Sequence, residues 1–157
     1  MDKVIVTALL TIGAVTAALV VIMAIGPSVT DSSQAVSESQ YEAADRIRTS
    51  IEIVAVASNS AGTQIDAWVK NVGVEPISPV SASDVFVITP GTRYDAMTYN
   101  TAGGDKTWTD NPVSSAWNRS DTLHIVIDLT SSALTVGDHR LRVSTRNGIT
   151  TDLTFSR

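Results

Sequence analysis

The chain opens on an apolar block and ends in alternating apolar and polar positions. Residues 4–25 are 22 consecutive uncharged positions, mostly Val, Ala, Leu and Ile. At about 1.5 Å of rise per residue, a helix of that length extends roughly 33 Å, enough to cross the hydrocarbon of a bilayer. Gly26-Pro27 follows. Proline lacks an N–H and clashes with the turn before it, so this pair predicts a kink or a briefly melted turn. From residue 28 to residue 50 the pattern becomes helical and amphipathic. Val29, Val36 and Ala43 recur at seven-residue spacing, and Ala44, Ile47 and Ile51 extend the stripe. Asp31, Glu38, Gln40, Glu42, Asp45 and Arg48 fall largely elsewhere. A stripe so thin and alanine-rich suits packing against close neighbours rather than one wide core. The pattern therefore predicts a first region, residues 1–50, that is one long helix with its weak point at Gly26 and Pro27.

Beyond residue 50 the apolar period shortens to two. Runs at 51–57, 65–70, 84–88, 93–99, 123–129, 138–145 and 149–155 are β-branched or alternating and are bounded by Gly, Pro, Asn or Ser, as strands are. Asn147-Gly148 between the last two runs is the strongest hairpin signal. In the final run Ile149, Thr151, Leu153 and Phe155 share a face. Seven strands in 107 residues predict an antiparallel, immunoglobulin-like β-sandwich over residues 51–157. Only the architecture is implied, because the paired cysteines of antibody domains are absent. The fold class is α+β: a long hydrophobic helix, then a sandwich head. The polar stretch 100–118 reads as a surface loop anchored by Trp108 and Trp117.

Charge sharpens this division. Asp2 and Lys3 cancel, so the net charge of −5 lies wholly beyond the apolar run. An acidic exposed part, with a pI near 4.8 for the chain, argues against nucleic acid as a partner. With no cysteine, disulfides and thiol chemistry are excluded, and the head must rest on an ordinary core. The apolar run is longer than a signal-peptide core, no basic segment precedes it and no Ala-x-Ala follows. A plain membrane anchor is the simplest alternative.

Candidate chemistry is sparse. His124 and His139 fall inside predicted strands and read as ordinary sheet residues. No Gly-x-Ser-x-Gly supports a nucleophile, and Gly103-Gly104 lacks the lysine of a phosphate loop. Asp105, Asp110 and Asp121 lie in or near one loop, but their spacing fits no calcium loop and they read as solvated carboxylates. Neither an enzyme nor a cofactor is expected. Asn118-Arg119-Ser120 is an N-glycosylation sequon. The informative feature is the helix itself. Its apolar residues Val4, Ile5, Leu9, Leu10, Ile12, Val15, Leu19, Val20, Ile22 and Met23 are interleaved with small Ala8, Gly13, Ala14, Ala17 and Ala18, and with Thr7, Thr11 and Thr16. Small residues and threonines allow helices to approach closely and to hydrogen-bond across the contact.

In these features the chain resembles type IV filament subunits, specifically the archaellins and their relatives. The resemblance covers the whole organisation and is sharpest in "MDKVIVTALLTIGAVTAALVVIMAI" and in the head segments "DAWVKNVGVEPI", "SASDVFV" and "LTVGDHRLRV". The head segments are also similar to archaellum protein G, a stator component. The resemblance implies a subunit that a prepilin-type signal peptidase processes and that waits in the membrane. It then polymerises with itself through its helix into a helical extracellular filament. An assembly ATPase and a membrane platform serve as partners, and a membrane motor rotates the fibre. The chain starts without the basic leader of that family, so Met1 is either the first mature residue or an initiator. Position five is Ile5 rather than the glutamate of bacterial pilins. Two alternatives stay open: an adhesive pilus subunit, and a membrane-tethered stator that binds a surface layer.

Overall fold

The computed structural model describes the backbone of residues 2–91 and 93–157 and, within these, every side chain except those of residues 24–36 and 42. The chain forms two compact units, Met1–Ala43 and Ala44–Arg157.

The first unit is helical. A single helix, α1 (Asp2–Arg48), carries the apolar run, and its last turn belongs to the second unit. Asp2 sits in its first turn, and Arg46 and Arg48 in its last, each on the side that the helix dipole favours. The backbone is helical through Gly26 and Pro27. Their side chains lie outside the described residues, and the weak point expected there falls with them.

The second unit is built from eight strands. These are β1 (Ile51–Ser58), β2 (Gln64–Asn71), β3 (Asp84–Thr89), β4 (Arg93–Tyr99), β5 (Thr107–Asp110), β6 (Thr122–Asp128), β7 (Asp138–Ser144) and β8 (Thr150–Ser156). They follow the order β1-β2-β6-β5-β4-β3-β7-β8. β1 and β8, the two ends of that order, lie against each other, so the sheet curls into a barrel-like sandwich. Every pairing is antiparallel except β4 with β5. Alternation dictates the inside. Ile65, Ala67 and Val69 of β2, Val85 and Val87 of β3, Ile125 and Ile127 of β6, and Leu141 and Val143 of β7 are all buried. Their neighbours in sequence point outward, as the two-residue period requires. β1 departs from this rhythm at a register shift between Ile53 and Ala55, where Ala55, inward by alternation, is exposed like Val54 before it.

The stretch expected to be a loop, 100–118, contains β5. It pairs in parallel with β4 through Thr98 to Thr107 and Tyr99 to Trp108, and antiparallel with β6. A parallel neighbour ordinarily needs a long crossover. Here residues 100–106 suffice because only two residue pairs form. The chain reverses through positive φ at Gly103, Gly104 and Lys106, and glycine meets that demand without steric cost. Trp108 and Trp117 are each 1% exposed, so both anchor the stretch as expected. Trp117 Nε1 donates to the Asp121 carbonyl at 2.9 Å.

Around residue 50 the second unit grips the end of α1. The amides of Val72 and Gly73 donate to the Ser50 carbonyl, and that of Val74 to the Arg48 carbonyl, all at 2.9 Å. A Cβ on Gly73 would come within 2.6 Å of the Arg48 oxygen and the Ser50 nitrogen, so only glycine admits this approach. Asn147 donates to Thr49 Oγ1 at 2.7 Å from the β7–β8 turn, and Arg48 pairs with Glu75 at 3.0 Å.

Candidate functional site

The apolar part of α1 is the feature that the rest of the chain leaves unexplained. Residues 2–23 have the length and hydropathy to cross a membrane, and none of that span is buried. All ten large apolar residues expected in a filament core, from Val4 to Met23, are exposed, with Val4 and Met23 at 74% and Leu10 at 69%. A helix apolar on all sides must lie in lipid or among other helices. Gly13 with Ala17, and Ala14 with Ala18, form two small pairs at four-residue spacing, while Ala8 lies on another side. Nothing lies within 4 Å of a Cβ built on Gly13, so a second helix can approach closely there.

The threonines have a more local role than the sequence suggests. Thr7 donates to the Lys3 carbonyl at 2.8 Å, Thr11 to Ala8 at 2.9 Å and Thr16 to Ile12 at 2.9 Å. Each hydroxyl hydrogen is thereby satisfied within its own helix. That makes threonine tolerable in hydrocarbon, and leaves only the hydroxyl oxygen to accept from a neighbour.

On the head, the structure separates the residues that a catalytic or metal reading would need together. His124 stacks on Trp68 across the β2–β6 pair, with ring centroids 5.0 Å apart, and its Nε2 lies 2.9 Å from Asp66. His139 is buried between Thr89, 2.9 Å from its Nδ1, and the Thr135 carbonyl, 2.8 Å from its Nε2. Asp105 accepts from the Ser131 amide at 2.9 Å. That backbone hydrogen bond, with smaller help from Ser131, Lys106 and Ser132 and against some desolvation, holds its carboxyl below the usual range. Asp121 accepts from Asn118 Nδ2 at 3.1 Å. Asp110 corrects the expectation of a solvated carboxylate. It is 1% exposed, because its register with Ile125 turns it inward. Tyr99 Oη donates to it at 2.9 Å, and the Ser114 amide donates to its other oxygen. Burial first, then this bond and the charge of Asp110, push the Tyr99 phenol up. No group of three or more His, Asp or Glu able to hold a metal occurs among the described residues. A cleft of about 110 Å³, lined by Asp45, Thr49, Glu75 and Arg146 among others, has room for roughly four waters. Asn118 is exposed, beside Ser120 at φ +67°.

An exposed apolar helix followed in sequence by a barrel-like β-sandwich defines the class: an α+β protein with an apolar N-terminal helix and a sandwich head. The chain belongs to the archaeal-type flagellin family, whose pattern it matches over residues 2–155. An uncharacterized protein of Archaeoglobus fulgidus is 27% identical over 159 residues, covering 98% of each chain. Among solved structures, the archaeal flagellum of Methanospirillum hungatei strain JF1 superposes with a TM-score of 0.73 over 96% of this chain and 90% of that one. At 14% identity that likeness is one of fold. The archaellum periplasmic stator protein FlaG of Sulfolobus acidocaldarius is 25% identical, with a TM-score of 0.59 over 68% of this chain and 99% of its own.

Proposed function

We propose that this protein is the structural subunit of an extracellular, archaellum-type motility filament, polymerised through the apolar part of α1. The observation that carries this reading is the wholly exposed apolar helix within a family match that includes both helix and head. Fully burying one Val, Leu, Ile or Met side chain contributes about 1.5–3 kcal/mol, so ten of them contribute roughly 15–30 kcal/mol before entropic costs. Helix-to-helix burial among copies collects that stabilisation outside the membrane. Before assembly the same surface rests in lipid. A heterologous contact that repeats without closing yields a fibre, and an acidic chain of net charge −5 keeps fibres apart in solution.

The role is mechanical rather than enzymatic: a passive propeller turned by a membrane motor. A prepilin-type signal peptidase, an assembly ATPase and a membrane platform complete the system. An adhesive, non-rotating pilus would use the same subunit design, and neighbouring genes for a rotary motor separate the two. A second reading, a membrane-tethered stator, is favoured by the likeness to FlaG. The two differ in stoichiometry. Recovery of the chain as the bulk protein of sheared surface fibres supports the filament. Recovery only in the membrane fraction, at a few copies per cell, supports the stator.

A further inference from the structure

We propose that a glycan on Asn118 folds back along the β2–β6 pair and packs a neutral sugar ring on Trp68, so that this outer face of the head binds the chain's own modification. The inference requires only that the head lie outside the membrane, and it holds for filament and stator alike.

Outward positions of a solvated sheet are ordinarily polar, and Trp68 breaks that rule. It keeps 36% of its surface exposed, whereas Trp108 and Trp117 keep 1% each. One face of its ring is taken by His124, 4° from coplanar with centroids 5.0 Å apart. Asp66 fixes His124 in turn, 2.9 Å from its Nε2, and Gln64 donates to the other Asp66 oxygen at 3.2 Å. On the opposite side, across the β1–β2 pair, stands Ala55, whose methyl group is too short to cover an indole. Trp68 is therefore a rigid ring with one open side and with amide and carboxylate groups at its margin. Such a surface suits a pyranose, which turns a C–H face to the negative face of an aromatic ring and hydroxyls to polar neighbours.

Charge selects among ligands. The outward positions of β1, β2 and β6 carry Glu52, Asp66 and Asp128 against Lys70, so the face is net acidic. That disfavours an anion, an acidic sugar or a second acidic head, and leaves a neutral saccharide.

Asn118 supplies one from close by. It is exposed within the sequon Asn118-Arg119-Ser120. The Asp121 amide donates to the Asn118 carbonyl at 3.2 Å, and the Asn71 amide, at the end of β2, donates to the Asp121 carbonyl at 3.0 Å. The sequon thus sits at the end of the same two strands that carry Trp68 and His124. Such a turn spans less than about 7 Å, and the three residues of strand from Asp121 to His124 add roughly 10 Å, a distance that a short oligosaccharide covers. Lys70 and Thr122, a polar register pair, lie on the way. Attachment replaces one Nδ2 hydrogen of Asn118 by the anomeric carbon of the sugar, with the phosphate carrier of an activated oligosaccharide as leaving group. The other hydrogen can keep the bond to Asp121 Oδ2, 3.1 Å away, and so limits the swing of the first sugar. A tether of this length holds its ligand at about millimolar effective concentration, so weak stacking on one ring is enough.

Because the other two tryptophans are buried, a neutral quencher reads Trp68 alone. The test measures acrylamide quenching of the full chain in detergent, purified from its own cells after mass spectrometry of Asn118. Comparators are the same sequence from a host that attaches no N-glycan, and Asn118→Gln from its own cells. The expected result is a glycan on Asn118 with Trp68 protected, and loss of that protection in both comparators. Trp68→Ala should keep the glycan and lose the acrylamide-sensitive emission, which assigns the signal. Equal quenching of glycosylated and bare chains, or an Asn118 that carries no glycan, overturns the proposal. Neither result touches the filament reading, which the sheared fibres decide.

Discussion

Asp110 shows how much one buried carboxylate ties together. It sits in β5 at 1% exposure and takes hydrogen bonds from the Tyr99 phenol and the Ser114 amide, so it pins the strand to the loop behind it. Removing it leaves two donors without an acceptor. Asp110→Ala is expected to lower stability by about 1–3 kcal/mol, read as a lower melting temperature of the full chain in detergent; an unchanged melt would mean the bonds are decorative. The linked group, Tyr99, has its folded pKa raised by burial and then by Asp110. Its contribution is therefore complete below the unfolded value of about 10 and is lost as pH rises through the folded one. Asp105 runs the other way. Its lowered pKa gives a contribution present above the ordinary carboxylate value of about 4 and lost as pH falls through the folded value. At Asn118 the side chain is exposed in a sequon. Asn118→Gln is expected to leave assembly intact and to lower subunit mass by one glycan in a glycosylating host; equal masses dispose of the glycan. Much at this scale was not legible in sequence. Asp110 reads as a loop residue until its register with Ile125 is known, and the contact of His124 with Trp68 and Asp66 exists only across strands.

At the scale of elements, hydrophobic period carried most of the information. The apolar run became α1, and the seven alternating runs all became strands, within a residue or so at their ends. Periodicity failed at β5, whose Thr-Trp-Thr-Asp is too short and too polar to stand out. It forms because β6 offers a partner on one side and the turn through Gly103 and Gly104 delivers the chain to β4 on the other. Tertiary context made that strand, and local propensity did not. For α1 the claim is functional. Ala14 belongs to the pair of small residues at four-residue spacing with Ala18, and a charge placed there has no counter-ion in a dry helix bundle. Ala14→Arg is expected to abolish filament assembly, with the head still folded by circular dichroism. Normal fibres from this variant would refute the helical core.

For the molecule as a whole, two dissimilar surfaces share one chain: a helix that water cannot solvate and an acidic, closed sandwich that it can. Neither explains the other in a solitary subunit; the proposed polymer would reconcile them, with helices inside and heads outside. That division was evident from the apolar run and the distribution of charge. The anchor-or-polymer alternative was not, because lipid and neighbouring helices satisfy an apolar surface equally well. The measurement that bears most directly on this is electron microscopy of filaments sheared from cells, with mass spectrometry of the subunit. The account predicts long, uniform fibres, roughly 10 nm wide, in which this chain is the principal protein. Fibres that lack it, with the chain confined to the membrane fraction, would contradict the filament.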